Sequence, residues 1–501
     1  MAICEKLRSA LPVCALVFLA ACATVRNPVT GEYERTVMDE RSELAAGQKN
    51  HQEVLKEYRA LDNPLLQAYV NTIGQKLAKA SQRANLEWHF TVLDSPEINA
   101  FALPGGYVYI TRGILAYFND EAELAGVLGH EIGHVTARHA SQRATRQQAA
   151  GVGVLLASVL GAVLESKGYG GAGDLTQQVS QMTAAGYIAS YSRDQESQAD
   201  QLGAQYLAGN QYDSARMIDV IDMLAKQEQF ATDLARKEGR TLAPRADWLA
   251  SHPSNDKRLN DIRQTALLHH NPQAAQAAKG RERFLKAIDG IIFGESREEG
   301  VTRGQQFFHE PLGFALTAPT GWRIKNTSSE LVMMNGAGDA ALIMRALPAD
   351  AGATHADIVH RVFNPVSGRT TQASINGFAA THFVGVARTQ SGTQAVDATI
   401  INGPNNQNYL FLHAAKSAAI LQRDRDMLLT AENSFRAISA QDRLLARPWQ
   451  LRQVAFPAGG FAHLAKRAPA SLPDAEAQLR LLNGAYPDGV IKPGMLVKTV
   501  E

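Results

Sequence analysis

The pentapeptide His130-Glu131-Ile132-Gly133-His134 constrains this chain more than any other feature, because it puts two imidazoles and a carboxylate on a segment with helical periodicity. Residues four apart share one face of an α-helix, so both rings can reach one tetrahedral ion while Glu131 faces the ion's open position. The flanking residues agree with a helix. Asn119-Asp120 can cap its start, Glu121 and Glu123 put negative charge in the first turn, and Leu124, Val127, Leu128 and Val135 recur at helical spacing. Gly126, Gly129 and Gly133 each cost about 1 kcal/mol of helix propensity, which makes sense if another backbone or the metal site packs closely on that face. The blander alternative is a core helix with two satisfied histidines.

A catalytic zinc ion takes three protein ligands and leaves a fourth position for water. A metzincin pattern would need a histidine at position 140, which is Ala140, and His139 points away from the metal-binding face of a continuous helix, in a supporting or structural place. The stretch Ser192-Arg193-Asp194-Gln195-Glu196-Ser197-Gln198-Ala199-Asp200 reads as a second helix continuing through Leu202, Ala204 and Leu207. Glu196 and Asp200 share one face of it. Glu196 is the candidate third ligand, with Asp200 accepting the free ring N–H of a ligand histidine and so fixing its tautomer.

Two further motifs accompany these, Asn99-Ala100-Phe101-Ala102-Leu103-Pro104-Gly105-Gly106-Tyr107-Val108-Tyr109-Ile110-Thr111-Arg112-Gly113 and Ser251-His252-Pro253. Together they resemble the HtpX and CAAX-prenyl-protease family of zinc metallopeptidases, in its periplasmic BepA-like and LoiP-like lipoprotein branch, and they follow the family's order over roughly residues 35 to 265. The resemblance implies a glutamate-zincin fold with one Zn2+ per chain on His130, His134 and Glu196, and Glu131 as catalytic base. It also implies that Asn99, Ala100 and Phe101 lie on an open edge strand that pairs with the backbone of unfolded or misassembled polypeptides. His252 is implied to stand near the zinc, either stabilising the oxyanion or latching the open coordination position. Pro253 pushes the residue before it out of the helical region, so His252 is expected on an extended turn at the head of a helix containing Arg258.

The N-terminus speaks to the compartment. Lys6 and Arg8 precede an apolar stretch from Leu11 to Phe18, and Leu19-Ala20-Ala21-Cys22 resembles a bacterial lipobox, which would leave Cys22 as a lipidated first residue. Ala23 and Thr24, with no Asp after the cysteine, resemble outer-membrane sorting; an ordinary signal peptide or an uncleaved anchor is the alternative. All three cysteines, Cys4, Cys14 and Cys22, fall in this segment, so the mature fold is expected to hold neither a disulfide nor a cysteine zinc site. The apolar run Ala149 to Leu164, followed by the glycine-rich 168–173, is shorter than the about 20 residues a membrane span needs. It reads as a mobile lid or a membrane-facing amphipathic element, or else as a buried helix.

The fold class expected is α+β, in several parts. Residues 1–22 form a lipoprotein signal peptide and 23–38 a turn-rich tether. Residues 39–293 form a mainly helical zinc metallopeptidase domain with a small sheet from Trp88 to Leu93 and Tyr107 to Thr111. A charged linker (294–306) leads to an α+β accessory domain (307–438), whose strand-like runs include Phe314-Ala315-Leu316, Leu342-Ile343-Met344 and Tyr409 to His413. Residues 445–501 order as strand, helix, helix, strand, like a LysM peptidoglycan-binding module. A formal net charge of +1 gives no case for nucleic acid. The partners expected are unfolded or misassembled envelope polypeptides, the membrane through the N-terminal lipid, and peptidoglycan or the outer-membrane assembly machinery. Two functions stand open: a zinc endopeptidase of the periplasm, or a lipid-anchored, chaperone-like scaffold with latent catalysis.

Overall fold

Helices form where the sequence supplies both an apolar face and a cap. The computed structural model describes residues 23–148, 191–237, 239, 252, 256–269, 277–327, 329–389 and 392–501. Cys22 with the expected signal segment, the apolar run 149–164 and the glycine run 168–173 lie outside the described residues. The chain divides into a first unit running to Ile291 and resuming at Gln450–Ala468 and Leu472–Glu501, and a second unit of Ile292–Trp449 with Pro469–Ser471.

The first unit begins with a hairpin of β1 (Ala23–Arg26) and β2 (Tyr33–Thr36). Next comes α1 (Glu40–Glu57), capped by the Asp39 carboxylate, which accepts from Ser42 N. Helix α2 (Pro64–Ala78) opens on Asn63 with proline at its first position and buries Leu66, Val70, Ile73 and Leu77. Strands β3 (His89–Leu93), β4 (Ala100–Leu103) and β5 (Tyr107–Thr111) make a sheet in the order β3-β5-β4, with β5 parallel to β3 and antiparallel to β4. Strand β4 is therefore an edge. A single turn, α3 (Arg112–Leu115), leads to α4 (Glu121–Thr136), which is capped by Asp120 and buried at every residue. A helix buried all round must be walled by other elements; here the walls are α2, β4, α5 (Arg193–Gly209) and α6 (Arg216–Lys237). Helices α7 (Asp256–Leu268) and α8 (Ala277–Ile288) follow.

The tether expected at 23–38 is instead part of this unit. Asn27 is buried, its Oδ1 accepts from Val29 N and Thr30 N to close the hairpin turn, and its amide donates to Ala137 O just past the end of α4. The turn chemistry was read correctly; what it closes is a docked hairpin.

The linker expected at 294–306 is likewise folded, into the second unit. Ser296 is fully buried, Thr302 donates to the Glu295 carboxylate, and β6 (Val301–Arg303) pairs with β7 (Gln306–His309). Strand β8 (Phe314–Thr317) continues that small antiparallel sheet. The larger, seven-stranded sheet is built from β9 (Arg323–Asn326), β10 (Leu331–Met334), β11 (Ala340–Ala346), β12 (Pro365–Ile375), β13 (Phe378–Thr389), β14 (Gly392–Asn402) and β15 (Asn408–Ala415). Its order is β9-β10-β11-β15-β14-β13-β12, antiparallel throughout. Both faces are covered at its middle strands. Ile401, Tyr409 and Phe411 join a core with Leu428 and Ala431 of a helix at Arg425–Asn433, while Ile400 and Leu410, one residue out of phase, pack with Ile358 and Val359 of a helix at His355–Phe363.

After the second unit the chain returns with a strand at Trp449–Ala455, helices at Gly460–Ala465 and Ala475–Leu482, and a last strand at Leu496–Val500, antiparallel to the first. The element order is the one read for residues 445–501, but residues from Gln450 onward, apart from 469–471, belong to the first unit rather than to a module of their own. The reason is a buried ammonium. Lys498 Nζ donates to Ala116 O at 2.7 Å and Phe118 O at 2.6 Å, and Arg281 donates to Asn119 O at 2.9 Å and Leu496 O at 3.2 Å. Three carbonyls ahead of the Asp120 cap are thus held from the C-terminal strand and α8. Burial pushes the Lys498 ammonium down from its ordinary value and the Glu123 carboxyl, in the first turn of α4, up. No helix among the described residues is long and apolar enough to cross a membrane.

Candidate metal centre

Glycine lets α4 and α5 touch. A methyl group on Gly133 would stand 3.0 Å from Ala199 O and 3.1 Å from its Cα, and one on Gly203 would stand 3.1 Å from His130 N. Both contacts are backbone, so neither has room to give. Gly129 faces Gly203 and Leu207, and Gly126 faces Met217 of α6. The propensity lost at these glycines is what allows a carboxylate on one helix to reach imidazoles on the other.

Four side chains converge there. His130, His134, Glu196 and His252 each place one ligand atom within 4.8 Å of the others, and all four are buried. His134 Nε2 lies 3.0 Å from His130 Nε2 and 3.5 Å from Glu196 Oε1; His130 Nε2 lies 3.6 Å from Glu196 Oε2. Glu196, 56 residues from His252 in sequence, is fully enclosed.

The far ring nitrogens explain why the near ones face each other. Asp200 Oδ1 stands 2.8 Å from His130 Nδ1, so the carboxylate accepts that ring's N–H and leaves a lone pair on Nε2. His139 Nδ1 stands 2.8 Å from His134 Nδ1, and His139 Nε2 contacts Gln198 Oε1 at 2.8 Å, which makes the same arrangement on the second ring through a relay. The helical-wheel argument against His139 ends where the helix does: Arg138 takes a left-handed conformation at φ 61°, and the chain folds back so that His139 supports His134. Burial pushes His134 well below its ordinary pKa and His139 down to about 4, which keeps both neutral. Burial works to raise the Glu196 carboxyl, but His252 and His134 beside it hold it well below the usual range. A neutral His134 and an ionised Glu196 are in the protonation states that zinc ligands require.

Glu131 is fully buried, with Oε1 3.5 Å from His252 Nε2. His252 enters the cluster from outside both helices, its Nδ1 3.2 Å from His130 Nε2 and 3.0 Å from Glu196 Oε1. Its neighbours at 251 and 253–255, on which the expected turn ahead of α7 depends, lie outside the described residues. On the other side, Ala102 and Leu103 of β4, Pro104, His134 and Tyr191 line one small cavity, which brings the edge strand to a candidate ligand. Asn99, Ala100 and Phe101 are buried, so their side chains face the core.

Sequence reasoning missed Tyr191. Its ring stacks on His134 with centroids 3.8 Å apart and planes 16° from parallel, and the Arg143 guanidinium lies over the ring, 4.9 Å from its centroid. Its position just before the Ser192 cap was the available signal, since the residue leading into a helix is carried to that helix's neighbour.

Residues 64–266 match the family described as Peptidase family M48. The chain is 32% identical over 204 residues to a protein of Yersinia pestis named beta-barrel assembly-enhancing protease, covering 41% of this chain and 40% of that protein. A protein of the same name from Escherichia coli (strain K12) is 26% identical over 393 residues, covering 74% of this chain and 76% of its own length. Mitochondrial metalloendopeptidase OMA1 of Arabidopsis thaliana is 28% identical over 236 residues, covering 46% of this chain and 43% of that protein.

Proposed function

Residues 64–266 carry a Peptidase family M48 domain, and from that premise we propose that this protein is a zinc-dependent endopeptidase of the bacterial cell envelope that degrades misfolded or misassembled periplasmic and outer-membrane proteins. The observation that carries the reading is the buried convergence of His130, His134 and Glu196 with Glu131 beside them. His130, His134 and Glu196 would hold one Zn2+, which when bound brings the pKa of a water towards neutrality and polarises a carbonyl. The Glu131 carboxylate takes the proton from the attacking water and returns it to the leaving nitrogen. Asp200 and His139 hold the two ligand rings in one tautomer. An extended substrate adds as a further strand to the edge β4, whose side chains are already spent on the core. Contact at Asn99, Ala100 and Phe101 is then main-chain, indifferent to sequence and open only to unfolded chain.

The envelope location draws support from the relatives named beta-barrel assembly-enhancing protease. Lipidation at Cys22 would tether the chain to the periplasmic face of the outer membrane, within reach of the outer-membrane assembly machinery; metabolic labelling with a fatty acid, lost in Cys22→Ser, tests it. Purified wild type should cleave unfolded casein, lose activity to a chelator and regain it with Zn2+, while Glu131→Gln should stay inactive. Zinc-dependent cleavage by Glu131→Gln would show the wrong residue as base.

One observation favours a second reading. His252 Nδ1 sits among the ligand atoms, 3.0 and 3.2 Å from two of them, where it can close the open position and leave a scaffold or chaperone-like binder, associated with peptidoglycan through its LysM-like C-terminal segment, whose protease is latent. His252→Ala then raises basal proteolysis, whereas a role at the oxyanion makes the same change lower it.

A further inference from the structure

Cys22 stands one residue before β1, and β1 is not the start of a loose tether. Ala23 is already paired with Thr36 at the open end of the hairpin. A two-stranded hairpin is marginal by itself in water, so its order comes from what it is docked on.

What it is docked on carries the metal ligands. Near the turn, Asn27 Nδ2 donates to Ala137 O at 3.3 Å, three residues past His134. Glu34 Oε1 accepts from Asn27 Nδ2 at 2.9 Å and from Gln142 Nε2 at 3.1 Å, and Gln142 Oε1 accepts from Gln195 Nε2 at 2.9 Å, next to Glu196 in the chain. At the open end, Val37 N donates to Thr145 Oγ1 at 3.2 Å, and the Thr36 and Thr145 hydroxyls stand 3.2 Å apart. Arg138 donates to Met38 O at 2.7 Å. The hairpin is therefore fastened at both ends, and Asn27, Thr36 and Met38 are buried.

Fastening removes slack. A free coil over 23–38 would let the metal centre range out to about 50 Å from Cys22. Through the docked hairpin the path is Ala23 to Asn27 along β1, across one hydrogen bond to Ala137, and one helical turn back to His134, a span of about 30 Å or less. Two features of the open end suit a lipid surface. Arg35, opposite Thr24, is exposed and makes no ion pair among the described residues, which leaves its charge for anionic head groups. Thr145 lies in the helical residues 139–148, and the sequence then runs into the apolar Ala149 to Leu164, so the lipid-bearing and the most apolar stretches leave the fold from one place.

We propose that the docked hairpin is a rigid spacer that holds the metal centre within about 30 Å of a phospholipid bilayer, so that the substrates cleaved are unfolded chains held at the bilayer surface rather than chains free in the periplasm. This rests on the peptidase reading and on the lipid at Cys22. The anchor supplies the site and its substrate to each other at high effective concentration, and the hairpin keeps that advantage from being diluted over a longer tether.

The test compares mature lipoprotein in phosphatidylethanolamine and phosphatidylglycerol vesicles with a variant carrying about 30 inserted Gly and Ser residues between Cys22 and Ala23, which adds about 30 Å of reach. Two substrates are used, casein coupled to a maleimide lipid and casein free in solution. Wild type should favour the coupled casein, and the insertion should lower its cleavage about threefold or more while free casein is cut as before. Distance is read separately: Gln147 is exposed, and no cysteine follows Cys22, so Gln147→Cys takes one dye whose energy transfer to a head-group acceptor should be strong and should fall on insertion. Transfer unchanged by the insertion overturns the fixed spacing. A fall in transfer with an unchanged ratio of coupled to free cleavage overturns the substrate class. Wild type without a fatty-acid label sinks the anchor itself, and loss of all casein cleavage by wild type sinks the peptidase reading, so each failure is told apart from the others.

Discussion

Each unit brings two histidines to a buried carboxylate, on different scaffolds. In the first, His130 and His134 are four residues apart on one helix, and only Glu196 has to be delivered from elsewhere. In the second, His382, Asp397 and His413 lie on three neighbouring strands, and every member is delivered by sheet register. Both clusters point each ring's spare nitrogen at an orienting group, Asp200 and His139 in one, Thr399 and Glu432 in the other. The electrostatic solution is therefore shared, while its trace in the sequence is not, because a helix turns local spacing into proximity and a sheet does so only through long-range pairing.

The sharpest way to separate the clusters is Glu131→Gln. Glu131 stands beside the first unit's ligand set with a chemical task of its own, whereas the carboxylates of the second cluster are engaged with its histidines, Thr399 and Arg425. Proteolysis should fall by about 10²–10⁴-fold with metal content unchanged, as expected for loss of a general base. Equal loss of metal and activity would mean that Glu131 holds the ion rather than a proton.

Removing an orienting group comes next. Asp200→Ala should weaken metal binding at the first site by about 10–100-fold. Chelator titration followed by elemental analysis reads it. Metal affinity equal to wild type would show that the His130 ring is held without Asp200.

How much of this was legible depends on the same contrast. The cap at Asp120, the buried face of α2, and the glycines of α4 all carry local signals that survive into the structure. Glu196 was legible because the i,i+4 pair with Asp200 marks a helix face. The hairpin of residues 23–36 was hidden by its own turn: Asn27-Pro28-Val29-Thr30-Gly31 reads as loop, and nothing local says that Asn27 reaches Ala137. Strand β12 was missed because positions 366–374 are all exposed, so Ser, Arg, Thr and Gln replace the alternation that marks a half-buried strand. The docking of the C-terminal strand turns on one lysine, and a lone Lys498 in Val497-Lys498-Thr499-Val500 gives no sign that its ammonium is buried on carbonyls nearly four hundred residues away.

That lysine supplies a mid-sized effect. Lys498→Met keeps the volume but leaves Ala116 O and Phe118 O without their donor, a loss of about 1–3 kcal/mol in the first unit's thermal unfolding. Since those carbonyls precede the cap of α4, kcat should fall with KM little changed, and Lys498→Arg should recover part of both. Unchanged stability would show the buried ammonium to be a passenger.

The glycine contact tests whether helix approach, which the second unit does not need, limits the first. A methyl at Gly203 meets His130 N at 3.1 Å and Gly129 C at 3.2 Å. Gly203→Ala should cost about 1–3 kcal/mol by overpacking and weaken zinc, because Glu196 rides on the displaced helix. Zinc affinity equal to wild type would mean that α5 can shift without moving its carboxylate.

The smallest effect concerns the ring that the first cluster has and the second lacks. Tyr191 lies flat on His134, whereas the His382 and His413 rings are 6.2 Å apart and tilted by 51°. Tyr191→Phe keeps the stacked face and should leave zinc affinity within about twofold, while Tyr191→Leu gives up a stacked pair worth about 0.5–1.5 kcal/mol and should weaken zinc by several-fold through the freed His134 ring. Equal affinities in the two variants would show that His139 alone orients His134. A loss in Tyr191→Phe as large as in Tyr191→Leu would assign the work to the hydroxyl rather than to the ring.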